Sequence, residues 1–129
     1  MKRTFFSLAL LLAVATLTAQ TKMTAREAAV KIADRILAST TYEFKNTKTG
    51  EIYKSVKKLP LDMDVKVACK YNNWHYTNGV TNMALMELGD KLGDKKYEKY
   101  VLKNMNFVFN EGNLDFFRKQ YDEAFKRDG

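Results

Sequence analysis

The chain has 129 residues, enough for one domain, and a formal net charge of +7. Apolar residues make up 46% of it, which is typical of chains that pack a core and excludes wholesale disorder. A single cysteine excludes an intrachain disulfide and a multi-cysteine zinc site, and a single histidine leaves one candidate for any histidine-based site. Composition indicates a globular, mostly helical domain but names no function.

The first 19 residues have the pattern of a secretory signal peptide. A basic start, Lys2-Arg3, precedes an almost wholly apolar run from Phe5 to Leu17. This run is shorter than the about 20 apolar residues that a membrane span needs. Cleavage after Ala19 fits the segment, and Ala13-Val14-Ala15 offers a second small-x-small site; the alternative is a buried N-terminal helix. With 1–19 removed as a signal, we expect 20–129 to be a periplasmic or secreted domain without membrane contact.

The charge balance has two interpretations. The 22 Lys and Arg residues outnumber the 15 Asp and Glu residues, as in many nucleic-acid-binding proteins. The basic residues are scattered along the chain instead of forming a stripe, and an exported protein rarely meets nucleic acid. We therefore expect a solvated surface with a bias toward acidic ligands, and no nucleic-acid partner.

Helical periodicity first appears after Thr24, which forms a capping box with Glu27. This helix should end at Ser39-Thr40-Thr41. Residues 42–73 are irregular, with short extended pieces expected only at 51–53 and 62–67. The apolar face of the helix is predicted to hold Ala25, Ala29, Ile32 and Ile36.

Regular spacing returns after Trp74, where Asn78 is suited to cap a helix. Gly93 is predicted to end that helix in the left-handed conformation, and Asp94 to cap the next one, which gives a tight helical hairpin. The second helix of the hairpin should end at Gly112. The predicted buried stripes are Val80, Met83, Ala84, Leu88 and Leu92 in the first helix, Tyr97, Val101, Asn104, Met105 and Val108 in the second, and Leu114, Phe117, Tyr121 and Phe125 in a last amphipathic helix.

Two segments carry a resemblance to a known family: Trp74-His75-Tyr76-Thr77-Asn78-Gly79-Val80 and Leu92-Gly93-Asp94-Lys95-Lys96-Tyr97. They resemble the N-terminal part of the unsaturated glucuronyl and rhamnogalacturonyl hydrolases, glycoside hydrolase families 88 and 105. There, a W-x-Y-x-x-G-type segment opens an inner helix, and a G-D-x-x-Y-type turn joins it to an outer one. The resemblance implies that residues 20–129 are all-α, with helical hairpins forming an incomplete N-terminal portion of an (α/α)6 toroid.

The resemblance also implies an activity. Family members remove the terminal unsaturated uronic acid from pectin- or glycosaminoglycan-derived oligosaccharides by hydrating its C4=C5 bond, without a metal or organic cofactor. Two aspartates on inner helices carry the reaction, and they normally follow the region seen here. The catalytic residues are therefore expected beyond Gly129. The alternative is a complete small exported helical domain that binds a partner without catalysis, and the DNA downstream of Gly129 would discriminate between the two.

Four residues are candidate substrate contacts on this resemblance. Trp74 and Tyr76 would form a sugar-stacking wall, His75 would hydrogen-bond a uronate carboxylate, and Asn78 would contact sugar. Each has a structural alternative: two core aromatics at a helix entrance, a satisfied polar residue, and a helix cap.

Other chemically capable residues favour structural interpretations. Asp62 and Asp64 are close carboxylates of the kind used in acid–base catalysis, but a solvated loop is the preferred interpretation. Asp115 is expected to stabilise the first turn of the last helix, and neither it nor Asp122 sits in the catalytic context of the family. Cys69 has no partner and is expected to be buried and inert.

Overall fold

The computed structural model describes residues 23–128, which form four α-helices and one small antiparallel sheet. The predicted signal peptide, 1–19, lies outside the described residues. The chain is mostly helical, as predicted, but the sheet is a departure from an all-α fold. In chain order the elements are α1 (Ala25–Ser39), β1 (Phe44–Asn46), β2 (Ile52–Tyr53), a 3-10 turn (Val56–Lys58), β3 (Val65–Val67), α2 (Tyr76–Leu92), α3 (Lys96–Val108) and α4 (Glu111–Asp128).

Helix α1 begins and ends where the sequence predicts. The Glu27 N–H donates to Thr24 Oγ1 over 3.2 Å, and the Thr24 N–H donates to Glu27 Oε2 over 2.8 Å, which completes the capping box. The helix ends at Ser39, whose hydroxyl donates back to the Arg35 carbonyl over 2.7 Å. Its buried residue is Ala33, and Ile32 is exposed, so the predicted apolar face is turned partly toward solvent.

The sheet has the strand order β2-β1-β3, with both pairs antiparallel. Its strands β2 and β3 lie within the two extended pieces expected from the sequence, while the central strand β1 was not expected. Phe44 pairs with Tyr53 on one side and with Val67 on the other. The turn after β1 is closed by Asn46 Oδ1, which accepts from the N–H groups two and three residues later.

Helices α2 and α3 form the predicted hairpin. Gly93 ends α2 with φ +66°, and Asp94 Oδ1 accepts a hydrogen bond of 3.0 Å from the Lys96 N–H at the start of α3. The two helices approach closely at Gly89, where an added Cβ would lie 3.3 Å from Tyr97 Cβ. The hairpin is thus held by a left-handed glycine at its turn and a small residue at its contact.

The face that α2 buries differs from the predicted stripe. Val80 and Met83 are exposed, at 52% and 74% of their maximum, and Ala84 is exposed as well. The prediction was right for Leu88 and Leu92, which pack against the core, and wrong for Val80, Met83 and Ala84. Leu85 takes their place in the core, and a polar contact adds to it: Asn104 Nδ2 donates to Asn82 Oδ1 over 3.2 Å. The buried residues of α2 are Asn78, Asn82, Leu85 and Gly89.

The core has two parts, one between α1 and the hairpin and one between the sheet and α4. In the second, the Phe44 ring lies 5.5 Å from the Phe107 ring and 6.3 Å from the Phe116 ring. Helix α3 ends at Val108, four residues before the predicted Gly112, because Asn110 Oδ1 accepts from the Gly112 N–H and opens α4. The buried apolar residues are Ala33, Leu85, Tyr97, Tyr100 and Val101 in the first part, and Phe44, Val65 and Phe116 in the second.

None of the helices within residues 23–128 is both long and apolar enough to cross a membrane.

Candidate functional site

The four predicted contact residues all line one open cleft of about 310 Å³ between the start of α2 and the end of α3. We call it the asparagine cleft, because its wall also contains Asn72, Asn73, Asn82 and Asn104. Gly79, Met105, Val108 and Phe109 complete the lining. The cleft thus combines an aromatic rim with a floor of amide side chains.

Trp74 lies at the rim of the cleft, and the residue is 56% exposed. Its Nε1–H donates to the Val108 carbonyl over 3.2 Å, which satisfies one of the open carbonyls at the C-terminus of α3. The ring centroids of Phe109 and Phe117 each lie 6.2 Å away. Trp74 is therefore an anchored surface aromatic, and the alternative of an ordinary core residue does not describe it.

His75 is the N-cap of α2, a role that the sequence had assigned to Asn78. Its Nδ1 accepts from the Thr77 N–H over 3.4 Å and lies 2.8 Å from Thr77 Oγ1. In the neutral imidazole an accepting Nδ1 leaves the proton on Nε2. The exposed His75 ring lines the cleft and in this tautomer carries one N–H donor, at Nε2.

Asn78 lies in the first turn of α2 and is buried. Its Nδ2 donates to the Lys70 carbonyl, the Asn73 carbonyl and Asn73 Oδ1, at 2.9, 3.1 and 2.6 Å. These bonds fix the 70–73 loop against the helix, so the amide positions the cleft wall. The neighbouring Tyr76 is the opposite case, since it is 80% exposed.

Sequence reasoning placed Asn104 on the stripe of the second hairpin helix but gave no role in the site to Asn104, Asn72 or Asn82. Asn104 Oδ1 accepts from the Tyr42 hydroxyl over 3.1 Å, and Asn72 Nδ2 donates to the Thr41 carbonyl over 2.7 Å. Asn72 and Asn104 are each only 1% exposed, and Asn72 Oδ1 has no hydrogen-bond partner within the described residues. Asparagine is a poor residue for a helix interior, so Asn82 and Asn104 inside predicted helices were a signal of polar packing.

A second hollow, of about 540 Å³, is also lined by Trp74. We call it the basic hollow, because its two charged lining residues are Lys66 on β3 and Arg118 on α4. Aromatic rings from Trp74, Phe117 and Tyr121 form much of its wall. Asn73 and Trp74 line both hollows, so the two hollows are neighbours that share this part of the wall.

No carboxylate lines either hollow. Asp64 forms an ion pair of 2.6 Å with Lys48, and the hydrogen bond from Lys48 lowers the pKa of Asp64. The backbone N–H of Asp64 donates to Asp62 Oδ1 over 3.0 Å in a turn. Asp115 lies in the second turn of α4, not the first, and pairs with Lys119 at 2.7 Å, which lowers its pKa. A catalytic acid needs a raised pKa instead, so these groups act as structural carboxylates.

The remaining chemically capable residues form no reactive group. Cys69 is buried, as predicted, and its Sγ accepts from the Tyr71 N–H at 3.4 Å. Within residues 23–128, no three His, Cys, Asp or Glu side chains are grouped so that they could hold a metal ion. The chemistry that the two hollows offer is aromatic stacking, amide and imidazole hydrogen bonding, and cationic contact.

Comparison of the chain with protein-family models, curated proteins and solved structures finds no significant match.

Proposed function

We propose that this chain forms the substrate-binding wall of an exported glycoside hydrolase that removes terminal unsaturated uronic acid from pectin- or glycosaminoglycan-derived oligosaccharides. On this proposal the asparagine cleft holds the sugar, and the catalytic aspartates lie outside the described residues. No metal or organic cofactor takes part.

The observation that carries the proposal is the convergence of the four predicted residues on one cleft. Trp74 and Tyr76 offer exposed ring faces, which suit the C–H faces of a pyranose. His75 offers an N–H donor to a carboxylate or hydroxyl. A few placed polar groups beside apolar surface, in a hollow of this size, are typical of small-molecule sites.

The α2–α3 hairpin supports the toroid part of the proposal. In a ring of hairpins, each inner helix packs against its partner on one side and against neighbours on the other. Here α2 buries one face on α3, while Val80 and Met83 on another face stay exposed. Val80 lines a groove together with the exposed Ile32 of α1. Such an uncovered apolar surface suits a fold in which further helices pack on it. The sheet would then be an insertion between the first helix and the hairpin.

A binding experiment tests the proposal directly, because Trp74 and His75 are the only residues of their types in the chain. Titration of the full chain with an unsaturated uronyl disaccharide should change the tryptophan fluorescence and shift the imidazole proton resonances saturably. Tyr76→Ala should weaken binding about tenfold, the loss of one stacking contact of about 1.4 kcal/mol. Phe125→Ala, which removes an aromatic ring equally exposed on α4, should leave affinity unchanged. Absence of any change at Trp74 and His75 would refute the proposal.

A second candidate is an exported binding domain without catalysis. The absence of carboxylates from both hollow linings favours it. The reading frame downstream of Gly129 separates the two: further hairpins with aspartates on inner helices support the hydrolase, and a stop codon supports the binding domain. The ultraviolet absorbance of the substrate double bond gives a third outcome. Clear loss of absorbance with this chain alone would contradict both candidates, because the first places the catalytic acids outside the described residues and the second has no catalysis.

A further inference from the structure

The basic hollow has features that the asparagine cleft lacks. It is larger, at about 540 Å³ against about 310 Å³, and two cations line it. Its floor contains the apolar side chains of Val65, Val67 and Leu114. Of the four residues predicted to contact substrate, only Trp74 lines this hollow.

The two cations are available to a ligand. Within residues 23–128, neither Lys66 nor Arg118 makes a hydrogen bond or an ion pair with a carboxylate, and both are exposed. Asp64 has a Coulombic interaction with Lys66, and Asp115 has one with Arg118. The ion pairs of these carboxylates are with other residues, Lys48 and Lys119. Lys66 and Arg118 thus give the hollow a local positive potential.

Gln120 adds a buried amide to the lining of the same hollow. The residue is 96% buried, as its exposed fraction is 4%, and its Nε2 donates to the carbonyls of Asp62 and Val65. These bonds hold the α4 side chain against the start of β3. No donor within residues 23–128 reaches Gln120 Oε1, so this oxygen remains an acceptor in the hollow wall for a ligand hydroxyl.

We propose that the basic hollow is a second sugar subsite, which takes a pyranose carrying an anionic group on Arg118 and Lys66. Trp74 then lies between two adjacent sugar residues, the unsaturated uronic acid in the asparagine cleft and its neighbour in the basic hollow. Tyr121 and Phe117 flank the second ring, and Gln120 Oε1 accepts from one of its hydroxyls. This inference rests on the proposed function, since it extends the same ligand across Trp74.

The shared chemistry of the second sugar is a negative charge, which either a carboxylate or a sulfate ester supplies. A guanidinium binds both through paired N–H donors. The ligand set therefore has three members: an unsaturated digalacturonate, an unsaturated chondroitin disaccharide with one sulfate, and the same chondroitin disaccharide without sulfate.

The test measures the affinity of the full chain for these three disaccharides by Trp74 fluorescence. At least one anionic second sugar should bind about tenfold more tightly than the unsulfated disaccharide. Arg118→Gln should abolish that difference, and Arg26→Gln, the same substitution on α1 away from both hollows, should preserve it. The preferred ligand identifies carboxylate or sulfate as the natural charge.

His75 separates failure of this inference from failure of the proposed function. His75 lines the asparagine cleft and not the basic hollow. The second subsite alone would be overturned if the His75 resonances shift while charged and neutral ligands bind with equal affinity. It would also be overturned if the Arg118 and Arg26 substitutions have equal effects on affinity. Binding that moves neither His75 nor Trp74 would overturn the proposed function as well.

Discussion

The Tyr97 hydroxyl on α3 donates a hydrogen bond of 2.9 Å to Asp34 Oδ1 on α1. The Lys96 ammonium lies 2.9 Å from the same oxygen, and its hydrogen bond is the first cause that holds the pKa of Asp34 below the ordinary value of 3.8. Tyr97 is fully buried, so its hydroxyl has no access to water. This carboxylate therefore ties α1 to the beginning of the hairpin's second helix.

Asp34→Asn should reduce stability at neutral pH by about 1 kcal/mol or less, since the carboxylate is solvent-accessible. A carboxyl group with a lowered folded pKa stabilises the folded chain above its unfolded pKa, and the contribution is lost as pH falls through the folded value. Denaturant unfolding at pH 7 and below pH 3 should show the difference shrinking in acid. Asp90→Asn, at a carboxylate without side-chain hydrogen bonds within residues 23–128, is the control. A pH-independent difference would contradict this role of Asp34.

Gly93→Ala should destabilise the chain by about 1 kcal/mol. Nothing lies within 4 Å of an added Cβ there, so the cost is that of a left-handed backbone, at φ +66°. Gly79, inside α2, has equally open surroundings but no positive φ. Gly79→Ala should therefore stabilise the chain by about 0.5–1 kcal/mol. Thermal unfolding of both variants measures the two changes in stability. Changes of the same sign would disprove the assignment of backbone strain to Gly93.

The parts of the fold that the sequence predicts are those set by neighbouring residues. The Thr24–Glu27 capping box and the Gly93–Asp94 turn each need only residues within a few positions, and both are present in the structure. Strand β1 could not be found this way. Phe44 is extended because Tyr53 and Val67 pair with it, and these partners lie 9 and 23 positions away in the chain.

The candidate site was predictable at its rim and not at its floor. Trp74 and Tyr76 stand out by residue type in a segment that resembles a known motif, and both line the cleft. Hydrophobic periodicity assigns burial by apolar character alone. It therefore predicted that Met83 lies on the buried face of α2 and did not predict burial of Asn82. The structure reverses the two, because Asn104 on α3 supplies the hydrogen bond that makes Asn82 burial favourable.

Tyr42→Phe should lower the free energy of unfolding at neutral pH by about 1–3 kcal/mol, because Asn104 Oδ1 would lose its donor in a buried position. Burial, with Coulombic contributions from Tyr100 and Cys69, raises the pKa of Tyr42 from 10.0 to about 12. For this raised pKa, the stabilisation is complete below pH 10 and is lost as pH rises toward about 12.

Urea unfolding at pH 8, 10 and 12 measures the predicted loss of the Tyr42 stabilisation at high pH. The stability of the unmodified chain should fall more steeply over this range than that of Tyr42→Phe. Tyr71→Phe is the control, since the Tyr71 hydroxyl makes no hydrogen bond within residues 23–128. Parallel pH profiles for the unmodified chain and Tyr42→Phe would show that Tyr42 ionises as freely in the folded chain as in the unfolded one.

The exposed apolar face of α1 and α2 predicts self-association. Ile32 and Val80 line one groove between these helices, and Met83 lies one turn beyond Val80 on the same side of α2. Ile32 and Met83 are 63% and 74% exposed. Soluble monomers rarely leave a contiguous apolar patch of this kind uncovered, so the chain on its own should associate as its concentration rises.

Met83→Lys should shift sedimentation velocity profiles toward monomer, because it adds a charge on the exposed side of α2 next to Val80, and burying that charge in an interface costs free energy. Its folding stability should change by less than about 0.5 kcal/mol, since the side chain is mostly solvated. Phe125→Lys introduces the same charge at a comparably exposed apolar residue on α4, and there the association should persist. If both substitutions dissociate the oligomer equally, net charge and not the α1–α2 face controls association.

If the unmodified chain stays monomeric at every concentration, the exposed apolar face is stable in solvent. The argument that further helices pack on this face then loses its support.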